Sequence, residues 1–269
     1  MQAYYHYHRQ QLEAESHVLL MIATDNEQIF KTLAQEMVTT IEANNAKNEP
    51  SVIICPVGPV GHYPHFVKLV NEKQISLHST WFINMDEYLT DEHVWIPEEH
   101  PLSFRGFMNR TVYSQLDAAL VMPEHQRIFP DPLDLEKVAR TIDHLGKVDL
   151  CLGGIGINGH VAFNEPDTRF SPQEFLDLPT RILPIAAETR AVNSIGDLKG
   201  AIEDMPNFSV TIGMRDIFQA KKIRLGVFRE WHHAVVRRAI CAEPSAAFPV
   251  TLLQTHSDFK IYLNEQLAN

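Results

Sequence analysis

The chain has 269 residues, 45% hydrophobic and 21% charged, a globular mix that excludes a disordered or collagen-like polymer. Its 34 acidic against 23 basic residues leave a formal charge of −11, which argues against nucleic acid as a partner, because polyanion affinity rests on Lys and Arg neutralising phosphates. Cys55, Cys151 and Cys241 sit in apolar runs and read as free thiols of a reducing compartment. No run approaches the roughly 20 apolar residues of a membrane span, and the N-terminus carries no apolar signal core, so a cytoplasmic protein is expected.

In chain order, the first 15 or so residues are polar and aromatic and match no element pattern. Thr24-Asp25-Asn26-Glu27 reads as a capping box, opening a helix with Ile29, Phe30, Leu33, Met37 and Ile41 on one face. Residues 51–56 (SVIICP) form a short β-branched run, expected as a buried strand. The Gly/Pro loop VGPVGHYP follows, then a helix over 65–71. Residues 81–85 (WFINM) predict a second buried strand, ending at Asp86-Glu87-Tyr88. Residues 89–101 are polar with two prolines and predict a loop, followed by a helix through Phe104, Met108 and Val112. Asp131-Pro132 suits an N-cap and first turn for a helix carrying Leu135, Val138, Ala139, Ile142 and Leu145, closed by Gly146. Residues 148–152 predict a third strand running into GGIGINGH. Later strands are expected at 209–212, 223–228 and 259–263, with a helix over 231–242. Short strands alternating with helices predict an α/β fold with a mostly parallel sheet, in one domain over 1–269.

Ligands of such sheets bind at the carboxyl ends of strands. Three polar clusters fall there: Gly58 to His65, Asp86 to Tyr88 and Gly153 to Glu165. Gly154-Ile155-Gly156-Ile157-Asn158-Gly159 matches G-x-G-x-x-G literally. A dinucleotide fingerprint should open a helix and find an acidic residue about 20 positions on at a second strand end. Here Pro166 interrupts any helix, and Glu188 does not clearly end a strand. A glycine-rich turn for close packing is the stronger reading of that string alone.

The longer string LGGIGINGHVAFNEP resembles the signature of the glucosamine-6-phosphate deaminase/isomerase family, which includes 6-phosphogluconolactonase relatives. WFINMDEY, PEEHPLSFRGFMNR, ETRAVNS, PNFSVTIGM and FPVTLLQTHSDFKIYLN are similar to its other segments, so the likeness covers about residues 50–265. The resemblance implies a three-layer α/β/α sandwich with a Rossmann-like sheet, a homo-oligomer, and no metal or redox cofactor. It also implies a reaction in which an amino-sugar phosphate opens, a carboxylate moves a proton from C2 to C1, and ammonia leaves to give a ketose. By position, Asp86 matches the proton-transferring carboxylate, His160 the ring-opening histidine, Glu165 the acid supporting it, and Asn158 a supporting residue. Gly58, Gly61, His62, Glu87, Gly154, Gly156, Gly159 and His232 match substrate-binding positions.

Four positions depart from the family pattern. Asn158 replaces an Asp and brings no charge; in a serine-protease triad the comparable change costs on the order of 10⁴ in rate. The phosphate loop reads Gly58-Pro59-Val60-Gly61-His62, where Pro59 lacks an N–H and Val60 lacks a hydroxyl. An expected arginine is Ile195, and an expected lysine is His232. His62, His65, Arg190, Arg229 and His232 are possible replacements. The leading expectation is an isomerase/deaminase with an altered phosphate pocket. Two rivals are a binding protein of the same fold that senses a sugar or sugar phosphate, and a nicotinamide-dependent oxidoreductase resting on GIGING alone.

Overall fold

The short apolar runs become strands because each can bury both faces of its backbone ribbon. The computed structural model describes residues 2–196 and 198–269. In chain order the strands are β1 (Leu19–Ala23), β2 (Ser51–Cys55), β3 (Thr80–Asn84), β4 (Asp86–Leu89), β5 (Arg127–Ile128), β6 (Leu150–Gly153), β7 (Arg181–Pro184), β8 (Phe208–Thr211), β9 (Ile223–Val227) and β10 (Phe259–Asn264). Seven form one sheet in the order β1-β10-β9-β6-β2-β3-β5, and every neighbouring pair is parallel.

Side chains alternate across this sheet and build two cores. Val52, Ile54, Cys151 and Ile261 face one side, against Val138 and Ile142 of helix Lys137–Leu145 and Val236, Ala239 and Ile240 of helix His232–Cys241. Ile53, Cys55, Leu150 and Leu152 face the other, against Ile29, Leu33, Met37 and Ile41 of helix Asn26–Asn45 and Phe66 and Val70 of helix His62–Lys73. This is the expected three-layer α/β/α sandwich. Among the described residues no helix is long and apolar enough to cross a membrane.

Several boundaries differ from the sequence pattern. The first long helix is capped one residue later than Thr24: the Asp25 carboxylate accepts from Gln28 N–H at 2.8 Å. The helix expected at Asp131 begins at Lys137, because residues 131–134 fold into a bridged turn that leaves Leu133 exposed. Asp86-Glu87-Tyr88 does not merely close the strand at 81–85 but forms, with Leu89, a strand of its own, β4. It pairs antiparallel with β8, which pairs antiparallel with β7, in a separate three-stranded sheet. The run at 209–212 therefore belongs to this small sheet rather than the parallel one. Tyr88, Ile96, Leu102, Phe163, Ile185 and Met205 form its own apolar cluster.

The strand order explains where a ligand can sit. From β2 the chain moves outward through β3 to β5, then returns to place β6 on the other side of β2. The connections leave β2 and β6 in opposite directions, and a crevice opens between their carboxyl ends. The loop of Gly58 and the loop of Gly154 to His160 both emerge at that switch point.

Candidate active site

A cavity of about 210 Å³ fills the crevice. Its walls come from the loop after β2 (Gly58, Pro59), the β3–β4 junction (Met85, Asp86), the loop after β6 (Gly154, Gly156, His160), helix Ala187–Ser194 and the loop after β9 (Phe228, Arg229, His232). Two of the sequence-selected chemical groups, Asp86 and His160, therefore face one space.

Asp86 sits where the chain leaves the parallel sheet for the small one, and only 7% of its surface is exposed. Among the described residues no hydrogen bond or ion pair reaches its carboxyl. Burial pushes its pKa well above the usual carboxylate range, and the neighbouring Glu87 charge pushes the same way. A carboxyl so placed is a strong base once ionised.

His160 lies over Gly156, and its ring is held from one side. Nδ1 donates to Asn158 Oδ1 at 2.8 Å, with Thr189 Oγ1 at 3.3 Å and Glu165 Oε2 at 3.4 Å. Asn158 Nδ2 donates to Glu165 Oε2 at 2.7 Å. Burial pushes the Glu165 carboxyl up, but the hydrogen bond and charge of His160, with bonds from Asn158 and Thr189, outweigh it and hold the group below the usual range. Glu165 is thus a carboxylate, and it acts on the imidazole from behind. With Nδ1 protonated, Nε2 keeps its lone pair for the cavity. Thr189 belongs to the ETRAVNS segment; nothing in its local sequence pattern singles it out.

The glycine string is a packing device. Gly156 N–H donates to His160 O and Gly159 N–H to Gly156 O, both at 2.9 Å, so these amides are already engaged. A Cβ at Gly156 would fall 2.0 Å from the His160 ring, and one at Gly154 would fall 3.0 Å from Pro59. The turn opens no helix; the next helix in the chain is Pro172–Leu176. A dinucleotide fingerprint is absent among the described residues for these reasons.

Other expected substrate contacts fall elsewhere. Glu87 alternates to the face opposite Asp86 and is fully buried. It accepts from Tyr88, Phe104 and Arg105 N–H, from Ser103 Oγ and from Arg105 Nε, at 2.9–3.3 Å. It caps helix Phe104–Thr111 instead of touching the cavity. His62 is also withdrawn: its ring is buried against Tyr63, and burial pushes its pKa down to about 3. Gly61 lies under the Phe30 ring and Gly159 under Phe248, both behind the cavity wall.

His232 does line the cavity, but as a neutral tie. Nε2 donates to Ile155 O at 2.9 Å, and Nδ1 accepts from Arg229 N–H at 3.0 Å. Burial outweighs these bonds and holds the ring pKa at about 4. Ile195 is 71% exposed. His65 pairs with Glu27, and Arg190 donates to Ile202 O and Met205 O. Among the described lining residues the one Lys or Arg is Arg229, which is exposed.

Known proteins resemble this chain over most of its length. No family model matches the chain. A glucosamine-6-phosphate deaminase of Parabacteroides distasonis is 31% identical over 245 residues, covering 88% of this chain and 85% of that protein. One from Clostridium perfringens is 28% identical over 258 residues, covering 93% and 98%. Among solved structures, a monomeric glucosamine-6-phosphate deaminase superposes with a TM-score of 0.81 at 23% identity, over 93% of this chain and 98% of that one. A 6-phosphogluconolactonase of Thermotoga maritima superposes at 0.65 with 14% identity, over 91% and 98%.

Proposed function

This chain belongs to the glucosamine-6-phosphate deaminase family, and on that premise we propose that it is an isomerase/deaminase converting an amino sugar to a ketose with loss of ammonia. The observation that carries the reading is a buried, strongly basic carboxylate and a back-supported imidazole opening on one cavity. His160 Nε2 takes the proton of the anomeric hydroxyl and returns a proton to the ring oxygen, opening the ring. Asp86 then takes the C2 proton and delivers it to C1, while a proton passes from the C2 amine to O1, leaving a hydroxyl at C1 and an imine at C2. The resulting imine at C2 is hydrolysed by water, releasing ammonia and the ketose. Asn158 and Glu165 hold the imidazole in the tautomer this relay needs and stabilise its charged form.

The 6-phosphate clamp is weakened in the same reading. A phosphate normally draws on cations or several N–H donors. Here the lysine position is a neutral histidine, the arginine position is an exposed isoleucine, and Pro59 offers no N–H. Arg229 supplies the remaining positive charge at the mouth. The chain accordingly discriminates little between phosphorylated and free amino sugars. A single domain over 1–269, a cytoplasmic location and a homo-oligomer complete the proposal; the buried free thiols of Cys55 and Cys151 support the location.

The test is ammonia release from a panel of free and 6-phosphorylated amino sugars, with the Asp86→Asn variant as control. Turnover lost in the variant, and free and phosphorylated sugars within about tenfold in kcat/KM, are expected. A preference above about a thousandfold for the phosphorylated sugar refutes the weakened clamp. Thermal stabilisation by a sugar without any ammonia favours the sensor reading, which the uncharged Asn158 otherwise supports.

A further inference from the structure

We propose that Glu188 is a positioning residue for His160, acting through Asn158 to replace the charge that position 158 lacks. The inference rests on the active-site reading above. Glu188 stands in the first turn of helix Ala187–Ser194, and Asn158 Nδ2 donates to its Oε1 at 3.3 Å. The other hydrogen of the same amide goes to Glu165 Oε2 at 2.7 Å. On its far side Asn158 Oδ1 accepts from His160 Nδ1 at 2.8 Å and from the His160 backbone N–H at 3.4 Å. Every donor and acceptor site of the amide is then in use.

This arrangement fixes which way the amide points. The opposite flip would aim the carbonyl oxygen at two carboxylates, which only accept, and the amino group at the imidazole. Two acceptors on one end therefore force Oδ1 toward Nδ1, and Oδ1 in turn forces the proton onto Nδ1. Nε2 is left with its lone pair, as proton relay at a sugar requires. The two carboxylates also polarise the amide in the direction that strengthens its bond to a charged ring. A carboxylate at position 158 would act on the ring directly. Here a neutral amide transmits the charge of two carboxylates instead.

The two arrangements exclude each other, and that gives the test. A carboxylate at position 158 would lie beside Glu165 and Glu188 with no hydrogen to offer either, and three carboxylates would repel. Glu188→Gln, Asn158→Asp and the double variant are compared by kcat and KM for the amino sugar that the native protein turns over. With Asn158 present, Glu188→Gln should lower kcat about three- to fivefold, the modest effect of an exposed charge, and leave KM unchanged. In the Asn158→Asp background, the same change should raise kcat. Melting temperatures confirm that each variant folds. A helix-terminus role for Glu188 alone predicts the same sign in both backgrounds; that outcome, or no change in either, overturns the proposal. The ring nitrogens of His160, read by ¹⁵N NMR without substrate, decide independently of turnover. All variants should keep the Nδ1–H tautomer, because Glu165 still holds the amide's direction, but Glu188→Gln should shift the Nδ1 resonance as its bond to Asn158 weakens. A ring spectrum unmoved by Glu188→Gln refutes the proposal even if the protein turns over no amino sugar, an outcome that would instead refute the enzymatic reading.

Discussion

Replacing Gly156 by Ala tests the catalytic geometry most sharply, because the glycine's backbone lies outside the left-handed region and only space is at issue. The added methyl would sit 2.0 Å from His160 Cε1 and 2.3 Å from both ring nitrogens, where ordinary contact begins at 3.4 Å. The ring must retreat by about 1.4 Å to restore that contact. Such a shift breaks the 2.8 Å bond from Nδ1 to Asn158 and misaims Nε2. A 1 Å misplacement of a reacting group costs about 10²-fold, or about 2.7 kcal/mol of transition-state stabilisation. We expect kcat for ammonia release to fall about a hundredfold, with little change in KM and a near-native circular dichroism spectrum. The control is Gly146→Ala. That residue has open space around it but a φ of 69°, so alanine should cost about 1 kcal/mol of stability and leave kcat intact. A Gly156→Ala enzyme within threefold of native kcat would refute the claim that the glycine exists to seat the histidine.

Asp86→Asn should reduce turnover by at least about 10²–10⁴-fold, the usual worth of a general base, yet raise the melting temperature. The folded pKa of Asp86 lies above its unfolded value of about 3.9, so its ionisation destabilises the fold as pH rises through the raised pKa. The stabilisation by Asn should therefore be absent near pH 3.5 and present at pH 8; a melting temperature lowered at pH 8 contradicts this. The same raised pKa predicts an activity profile that falls on the acid side well above the usual carboxylate range. His232 works in the opposite sense. Its pKa falls from about 6.5 unfolded to about 4 folded, so stability it supports above pH 6.5 is lost as pH drops toward 4. Urea unfolding across that window should show the slope, and His232→Gln should flatten it. His62→Leu should stabilise the protein by about 1–3 kcal/mol, since both ring nitrogens are buried without a hydrogen-bond partner among the described residues; destabilisation by chemical denaturation would show that the ring has an unrecognised role.

Much of the architecture is legible in the sequence because parallel strands announce themselves. The runs SVIIC and LCLG are apolar on both faces, and β2 and β6 are wholly buried in the structure. β1 escapes for the converse reason: as an edge strand with Leu19 at 57% exposure, it lies beside a polar N-terminal region that masks it. β5 has two residues and β7 ends at Pro184, too short or interrupted for any period to register. The capping role of Glu87 is hidden as well. Adjacent acids read as one polar cluster, and only the strand geometry of β4 sends them to opposite faces.

The sequence by itself determined the alternation of buried strands and helices and the position of the loops after β2 and β6, because hydrophobic period is a local property; Asp86, His160, Asn158 and Glu165 stood out only through the resemblance of their segments to a known family. Tertiary structure alone decided which polar side chains meet. Glu188 comes within 3.3 Å of Asn158 from 30 positions away, and His232 spends both ring nitrogens on backbone atoms. Such partnerships depend on strand order and on burial, which strip water from a group and force it to find its donor or acceptor within the protein.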